Sequence, residues 1–210
     1  MRLLLFGLLL ALPARSAETN FIELKFSTNR TSHISRIHLS SAAFRLNASP
    51  YFKTEVDEID RIVWCTLTAF QIGDPDSKPR LSLGLIRQQK LGEPAFYFLL
   101  AVAQADKYEQ WAKFKADEPI QFSVDGARFS FTPLPGSLHL DYAEPALSTT
   151  ERQTYLVNEH FVRCLGLANA AQVKVYGERR DVQRQFDRVN LSRFSIFVKN
   201  YVDVPPVEEK

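Results

Sequence analysis

The sequence predicts an α+β protein, in which the N-terminal two thirds build a largely antiparallel sheet and a C-terminal helix, hairpin and helix pack on it. Three observations support this class. Apolar residues of the first part recur at strand spacing, an Asp-Gly turn marks a hairpin near residue 125, and helical spacing begins only after residue 148. Strands and helices do not alternate, which argues against a parallel doubly wound sheet.

Four segments predict the strands before residue 106. FIELKF alternates Ile22, Leu24 and Phe26 with polar residues, as a half-buried strand does. The segments RIVWCTLTAFQIG and AFYFLLAVA are apolar or nearly so on both faces, and LSLGLI is the fourth candidate. Strands with two apolar faces are typical of a sheet that is covered on both sides. We therefore expect protein layers on both faces of this sheet.

The segment PIQFSVDGARFSFTPL predicts a hairpin in which Asp125 and Gly126 form a two-residue turn. The turn sets the register of the two strands: Val124 lies opposite Ala127, Phe122 opposite Phe129, and Ile120 opposite Phe131. All six residues share one face, and a one-residue slip would move three aromatic rings into water.

The C-terminal part predicts two helices with a second hairpin between them. Ser148 and Glu151 have the spacing of a capping box, which predicts a helix of about 18 residues from there. The segment QVKVYGERRDVQRQF follows, and a turn at Gly177 and Glu178 would place Lys174 opposite Asp181. The second helix is expected to begin near Asp187.

The first 16 residues have the layout of a secretory signal peptide. Arg2 precedes an apolar run from Leu3 to Leu12, and the small residues Ala14 and Ser16 favour cleavage after Ser16. The remaining chain is expected to form a single domain at 17–204, with a possible internal boundary near 133–148, and a flexible tail at 205–210. No segment reaches the roughly 20 apolar residues of a membrane span, so no transmembrane segment is expected in the mature chain. The expected location is the periplasm or the extracellular space.

The charge of the mature chain excludes one class of partner. The full chain carries a formal charge of +2, and removal of Arg2 and Arg15 with the signal leaves as many basic as acidic residues. Nucleic-acid binding requires a concentrated cationic surface. We therefore expect no nucleic acid among the partners.

The chain contains two cysteines, Cys65 and Cys164, and an exported protein meets an oxidising environment. Cys65 lies on an apolar face of its strand and Cys164 on the apolar stripe of its helix. We expect a disulfide between them if that helix covers that strand; the alternative is two separate buried thiols that pack as small hydrophobic groups.

Two groups of residues could carry chemistry. His160 and Cys164 are four positions apart on a helix, where they could form a nucleophile and its base or part of a zinc site. No further residues with ligand spacing complete a metal site. His139 and Asp141 alternate on a strand and could belong to a hydrolase triad, but the sequence does not identify its serine.

The cations Lys174, Arg179, Arg180 and Arg184 predict a possible patch for an anion or an acidic partner. The competing interpretation is a solvated face that neutralises itself, with Lys174 paired to Asp181.

Several phenylalanines could also line a concave sheet that holds an apolar ligand: Phe96, Phe98, Phe122, Phe129 and Phe131. The sequence therefore favours an exported soluble protein without catalytic machinery, one that binds a protein partner or acts as an accessory of the cell envelope. A secreted hydrolase and a carrier of lipid or apolar ligands are the alternatives. No cofactor or metal ion is expected.

Overall fold

The computed structural model describes the backbone of residues 21–28 and 31–38, and the backbone and side chains of 50–57, 59–90, 92–143 and 148–203. The predicted signal peptide and the predicted tail lie outside these residues. Twelve strands occur among them: β1 (Phe21–Thr28), β2 (Thr31–His38), β3 (Phe52–Asp57), β4 (Ile62–Gln71), β5 (Arg80–Lys90), β6 (Phe96–Ala105), β7 (Ile120–Val124), β8 (Ala127–Phe131), β9 (His139–Ala143), β10 (Ser148–Val157), β11 (Ala171–Val175) and β12 (Val182–Gln185).

Strands β3, β4, β5, β6, β10 and β9, in this order, form a six-stranded antiparallel sheet, called the large sheet below. A four-stranded antiparallel sheet, the small sheet, has the order β12, β11, β7, β8. Strands β1 and β2 pair with each other as a separate hairpin. With two helices in the C-terminal part, the molecule belongs to the predicted α+β class.

The β7–β8 hairpin has the register that the Asp-Gly turn predicts, with Phe122 opposite Phe129. Asp125 and Gly126 both have positive φ values, 45° and 87°. A type I′ turn requires this conformation at both positions, and its twist matches that of the two strands.

Two α-helices occur in the described part of the chain, α1 (Glu159–Leu167) and α2 (Arg188–Phe197). The Asn158 side chain caps α1 by accepting a hydrogen bond from the Phe161 N–H. Asp187 and Asn190 form a reciprocal capping box at the start of α2, close to the predicted position. A π-helical segment, Val198–Val202, continues α2. None of the described helices is long and apolar enough to cross a membrane.

The prediction that a helix starts at Ser148 is wrong, because Ser148–Val157 forms strand β10 and the helix begins only at Glu159. The segment STTERQTYLV contains three threonines, a tyrosine and a valine, residue types that favour strands. Its inward positions include Glu151 and Gln153, whose polar groups bind the backbone of the loop at 111–116. The loop at 111–116 therefore supplies hydrogen-bond partners for the buried polar side chains of β10. These partners allow a strand where the local sequence resembles the start of a helix.

The predicted turn at Gly177 and Glu178 is also wrong. Lys174 lies opposite Gln183 in the β11–β12 ladder, so the connection is longer than two residues. Gly177 forms an isolated bridge with Phe114 instead. The predicted ion pair is nevertheless present, since the Lys174 Nζ lies 2.9 Å from an Asp181 carboxylate oxygen.

Both helices pack on one face of the large sheet, called the inner face below. The ring of Phe194 in α2 lies 5.5 Å from that of Phe70 in β4. The ring of Phe161 in α1 lies 4.7 Å from that of Phe122 and 4.8 Å from that of Phe131, which belong to the small sheet. Both helices and the small sheet therefore share one core with the inner face.

Candidate functional site

The opposite face of the large sheet, called the outer apolar face below, carries large apolar side chains, among them Trp64, Ile86, Phe96, Phe98, Leu100 and Leu156. Strand alternation places them there, because their neighbours in sequence, such as Tyr97 and Leu99, are buried in the inner face. Phe98 lies directly opposite Ile86 on one side and Leu156 on the other. These three side chains form the centre of the face.

The outer apolar face is partly open to solvent. Phe96 is 52% exposed and Leu156 is 44% exposed. Phe98 and Ile86, although central, are only half-buried. The expectation of protein layers on both faces of this sheet is therefore not met within the described residues.

Charged pairs of both signs border this face at opposite edges of the sheet. Lys53 and Glu55 form an ion pair on β3. At the other edge, an Arg152 nitrogen on β10 lies 3.1 Å from an Asp141 oxygen on β9. An apolar centre with aromatic side chains and a polar border is typical of interaction surfaces.

The predicted disulfide is absent, and both cysteines are free thiols. Cys65 is 2% exposed, and its sulfur faces the side chains of Arg87 and Thr54. The Cys164 sulfur faces His160. The physical reason is the arrangement of the helices: α2 covers β4 through the contact between Phe70 and Phe194, whereas the bridge required α1 to do so.

His160 and Cys164 are neighbours, with the Cys164 Sγ 3.6 Å from the His160 Nε2. The imidazole also contacts the Phe129 ring, at 6.0 Å between ring centres. No carboxylate in the described residues orients the imidazole, as a catalytic triad would require. No group of three or more His, Cys, Asp or Glu residues that could hold a metal ion occurs in the described ranges.

His139 and Asp141 both lie on β9, whose five residues are all exposed. The Asp141 carboxylate pairs with Arg152, and the described residues contain no hydrogen bond between His139 and Asp141. The structure places them on one strand, and within the described part of the chain no hydrogen bond joins either side chain to a serine.

The four cations of the predicted patch lie on the small sheet and the β11–β12 connection, and all have partners within the protein. Besides the ion pair of Lys174, three arginines donate to backbone carbonyl groups: Arg179 to Tyr108, Arg180 to Glu109 and Arg184 to Pro79. The Arg179 guanidinium also stacks on the Tyr108 ring, 3.8 Å from its centre. The Lys174 ion pair agrees with the self-neutralised interpretation. The carbonyl groups that the three arginines bind are neutral, so whether the patch also binds an anion stays a prediction.

The rings predicted to line one concave sheet lie on two different surfaces. Phe96 and Phe98 belong to the outer apolar face. Phe122, Phe129 and Phe131 lie in the small sheet, where the Phe161 ring packs against all three. A core side chain therefore occupies the space that a ligand would need.

The sequence signal for the outer apolar face was the two-sided apolar character of β4 and β6. This pattern predicts a protein layer on each face of the sheet, but composition does not distinguish a covered face from an open one. The fold thus defines an α+β protein with one open apolar sheet face. No protein-family model matches the chain, and comparison with curated proteins and with solved structures gives no match.

The two thiols are expected to react at different rates. Burial raises the pKa of Cys65 to about 11, and the opposing effects of Arg87 and Thr54 are smaller. With that pKa only about one thousandth of the thiol is ionised at pH 8, and the thiolate is the reactive form. Iodoacetamide at pH 8 should therefore label the half-buried Cys164 in the native protein, and Cys65 only after unfolding. Mass spectrometry of the intact protein without reductant measures this, with Cys164→Ser as the control. Failure of the denatured sample to take up two labels would contradict the free-thiol assignment.

Proposed function

We propose that the protein is an exported, non-catalytic binding protein, an accessory of the cell envelope, which holds a partner protein on its outer apolar face. The observation that carries the proposal is the half-exposed row formed by Ile86, Phe98 and Leu156 at the centre of the large sheet. Monomeric proteins rarely expose contiguous apolar patches of this kind without a binding role. Export is tested by N-terminal sequencing of the mature protein, which is expected to begin at Ala17.

The chemistry of the face favours a protein over other partners. A pleated sheet surface suits another apolar sheet or helix, since layers of this kind pack about 10 Å apart. A small molecule instead needs a concave pocket that covers most of its surface. The bordering pairs, Lys53 with Glu55 and Arg152 with Asp141, carry both signs. They provide no excess of positive charge to attract an anionic membrane.

The alternatives have less support. A hydrolase at His139 and Asp141 lacks a hydrogen bond between the two and has Asp141 engaged with Arg152. A carrier that holds an apolar ligand against the small sheet would have to displace the Phe161 ring.

Two leucine substitutions test the proposal as a matched pair. Leu156 is 44% exposed at the centre of the outer apolar face, and Leu167 is 77% exposed at the end of α1. Leu156→Lys should weaken partner binding about tenfold or more, because a charge is buried at the centre of the interface. Leu167→Lys should leave binding unchanged. Both positions are open to water, so both variants should fold.

The partner is captured by a photo-activated cross-linking residue at position 96 in cells that produce the protein, with the same residue at position 167 as control. We expect a discrete protein adduct from position 96 only, lost in Leu156→Lys and retained in Leu167→Lys. The purified partner should then bind the purified protein with the same dependence on the two variants. An adduct that Leu156→Lys does not reduce would overturn the proposal. So would binding of this face to lipid vesicles or to a second copy of the chain without another partner.

A further inference from the structure

The hairpin of β1 and β2 belongs to neither of the two larger sheets. Its register pairs Phe21 with His38 and Thr28 with Thr31. Successive residues of a strand belong to opposite faces, so the register assigns every position to one of two faces. One face has four large apolar residues: Ile22, Leu24, Phe26 and Ile37. The other face has the charged residues Glu23, Lys25 and Arg36. The hairpin sequence is therefore amphipathic.

A hairpin of two strands is marginally stable in water unless its apolar face packs against another layer. The inner face of the large sheet does not offer such a layer, because both helices and the small sheet already cover it. The outer apolar face does, since Phe96 is 52% exposed and Leu156 is 44% exposed. The hairpin and the outer apolar face thus each have an apolar surface that requires a cover.

The connection to the large sheet permits this contact within one molecule. The hairpin ends at His38, and 11 residues, 39–49, separate it from Pro50, just before β3. A connection of that length can span up to about 40 Å. The large sheet has six strands, with β3 at its edge, and is about 24 Å wide. The hairpin can therefore reach any strand of the outer apolar face.

We propose that the apolar face of the β1–β2 hairpin binds the outer apolar face of the same molecule and competes there with the partner protein. The connection holds the hairpin at an effective concentration on the order of millimolar, so a weak contact is enough to cover part of the population. A partner that binds more tightly displaces the hairpin. This regulatory role rests on the proposed function, whereas the contact itself requires no partner.

The purified protein, with the photo-activated cross-linking residue at position 96 and no other protein present, tests the contact. We expect cross-linked chains of monomer mass, in which peptide mass spectrometry joins position 96 to residues 21–38. The same residue at position 167, at the end of α1, should give no such product. Absence of a product that joins position 96 to residues 21–38 would overturn the proposal, as would its occurrence only between two chains.

Two isoleucine substitutions on β2 form a matched pair for this measurement. Ile37 belongs to the apolar face of the hairpin, and Ile34, opposite Lys25, belongs to the charged face. Ile37→Asp should reduce the internal cross-link about tenfold, because a charge would be buried between two apolar sheets. Ile34→Asp should leave it unchanged, and Leu24→Asp should repeat the loss from β1. Equal yields in the two isoleucine variants would contradict the assigned face.

The purified partner tests the competition. Ile37→Asp should bind it about threefold more tightly than the wild type, because the open state no longer competes with the covered one. Ile34→Asp should bind it as the wild type does, and equal affinity of all three proteins would overturn the competition. A partner adduct in cells without the internal cross-link would refute the hairpin contact alone. An internal cross-link without any partner adduct would refute the proposed function and leave the contact in place.

Discussion

Replacing Phe161 with alanine is expected to lower the free energy of unfolding by about 3–5 kcal/mol, the usual cost of removing a fully buried phenylalanine. The Phe161 side chain is 0% exposed, and its ring packs against three rings of the small sheet. It also lies on the helix next to the large sheet. The cavity left by alanine would therefore separate the small sheet from the rest of the core.

Urea denaturation followed by circular dichroism measures the loss of unfolding free energy. If the dependence of this free energy on urea concentration is the same in both proteins, the change is in stability. Phe96→Ala is the matched control, because that side chain is 52% exposed; we expect it to cost less than about 1 kcal/mol. Similar losses in the two variants would contradict the central position of Phe161.

Replacing Glu151 with alanine is expected to lower the free energy of unfolding by about 2–3 kcal/mol. The substitution removes charge-assisted hydrogen bonds and leaves buried donors without an acceptor. Glu151 is 3% exposed and lies on the inner side of β10. Its carboxylate accepts hydrogen bonds from the backbone N–H groups of Lys113, at 3.0 Å, and of Phe114. Glu118→Ala is the control, since Glu118 is exposed and forms a surface ion pair with Lys115; its cost should stay below about 0.5 kcal/mol.

Glu151 should also make stability depend on pH. Burial raises the pKa of its carboxyl group, against the smaller lowering effects of the hydrogen bonds from Phe114 and Lys113. Above the ordinary glutamate pKa, about 4.3, the unfolded chain ionises first. The folded state then binds more protons, so the contribution of Glu151 to stability falls as pH rises towards its folded pKa and is constant above it.

The non-titrating variant Glu151→Gln isolates this effect. The free energy of unfolding of the wild type, relative to that of Glu151→Gln, should decline as pH rises from about 4 to the raised pKa of Glu151 in the folded protein. A relative stability that increases with pH over the same range would contradict a raised pKa.

Local chemistry made parts of this fold predictable. The conformations of Asp125 and Gly126 and the start of α2 after Asp187 follow from interactions within a few residues. The same local rules misassigned Ser148, because Glu151 three positions later resembles a capping residue. In the structure Glu151 binds a loop almost 40 residues earlier in the chain. A local pattern contains no information about such a partner.

The candidate surfaces were predictable only in part. The apolar residues of β4 and β6 were evident, but whether a layer covers their second face depends on the packing of distant segments. The neighbours of each cysteine were not predictable either, because they also depend on how distant segments pack. The polar neighbours of Cys65, Thr54 and Arg87, follow from the register of three strands, which the spacing of residues within one segment does not give.

The sequence by itself determined the α+β class, the strands β4, β5 and β6, the β7–β8 register and the start of the second helix, because each depends on the spacing of nearby side chains. Tertiary structure alone decided that both helices and the small sheet pack on the same face and that the outer apolar face stays partly exposed. It also decided that the neighbour of Cys65 is Arg87 and not Cys164. These outcomes depend on contacts such as that of Phe70 with Phe194, which join segments far apart in the chain. The free energy that stabilises these contacts comes from the burial of apolar surface. Which surfaces bury each other is not specified by any single segment of the sequence.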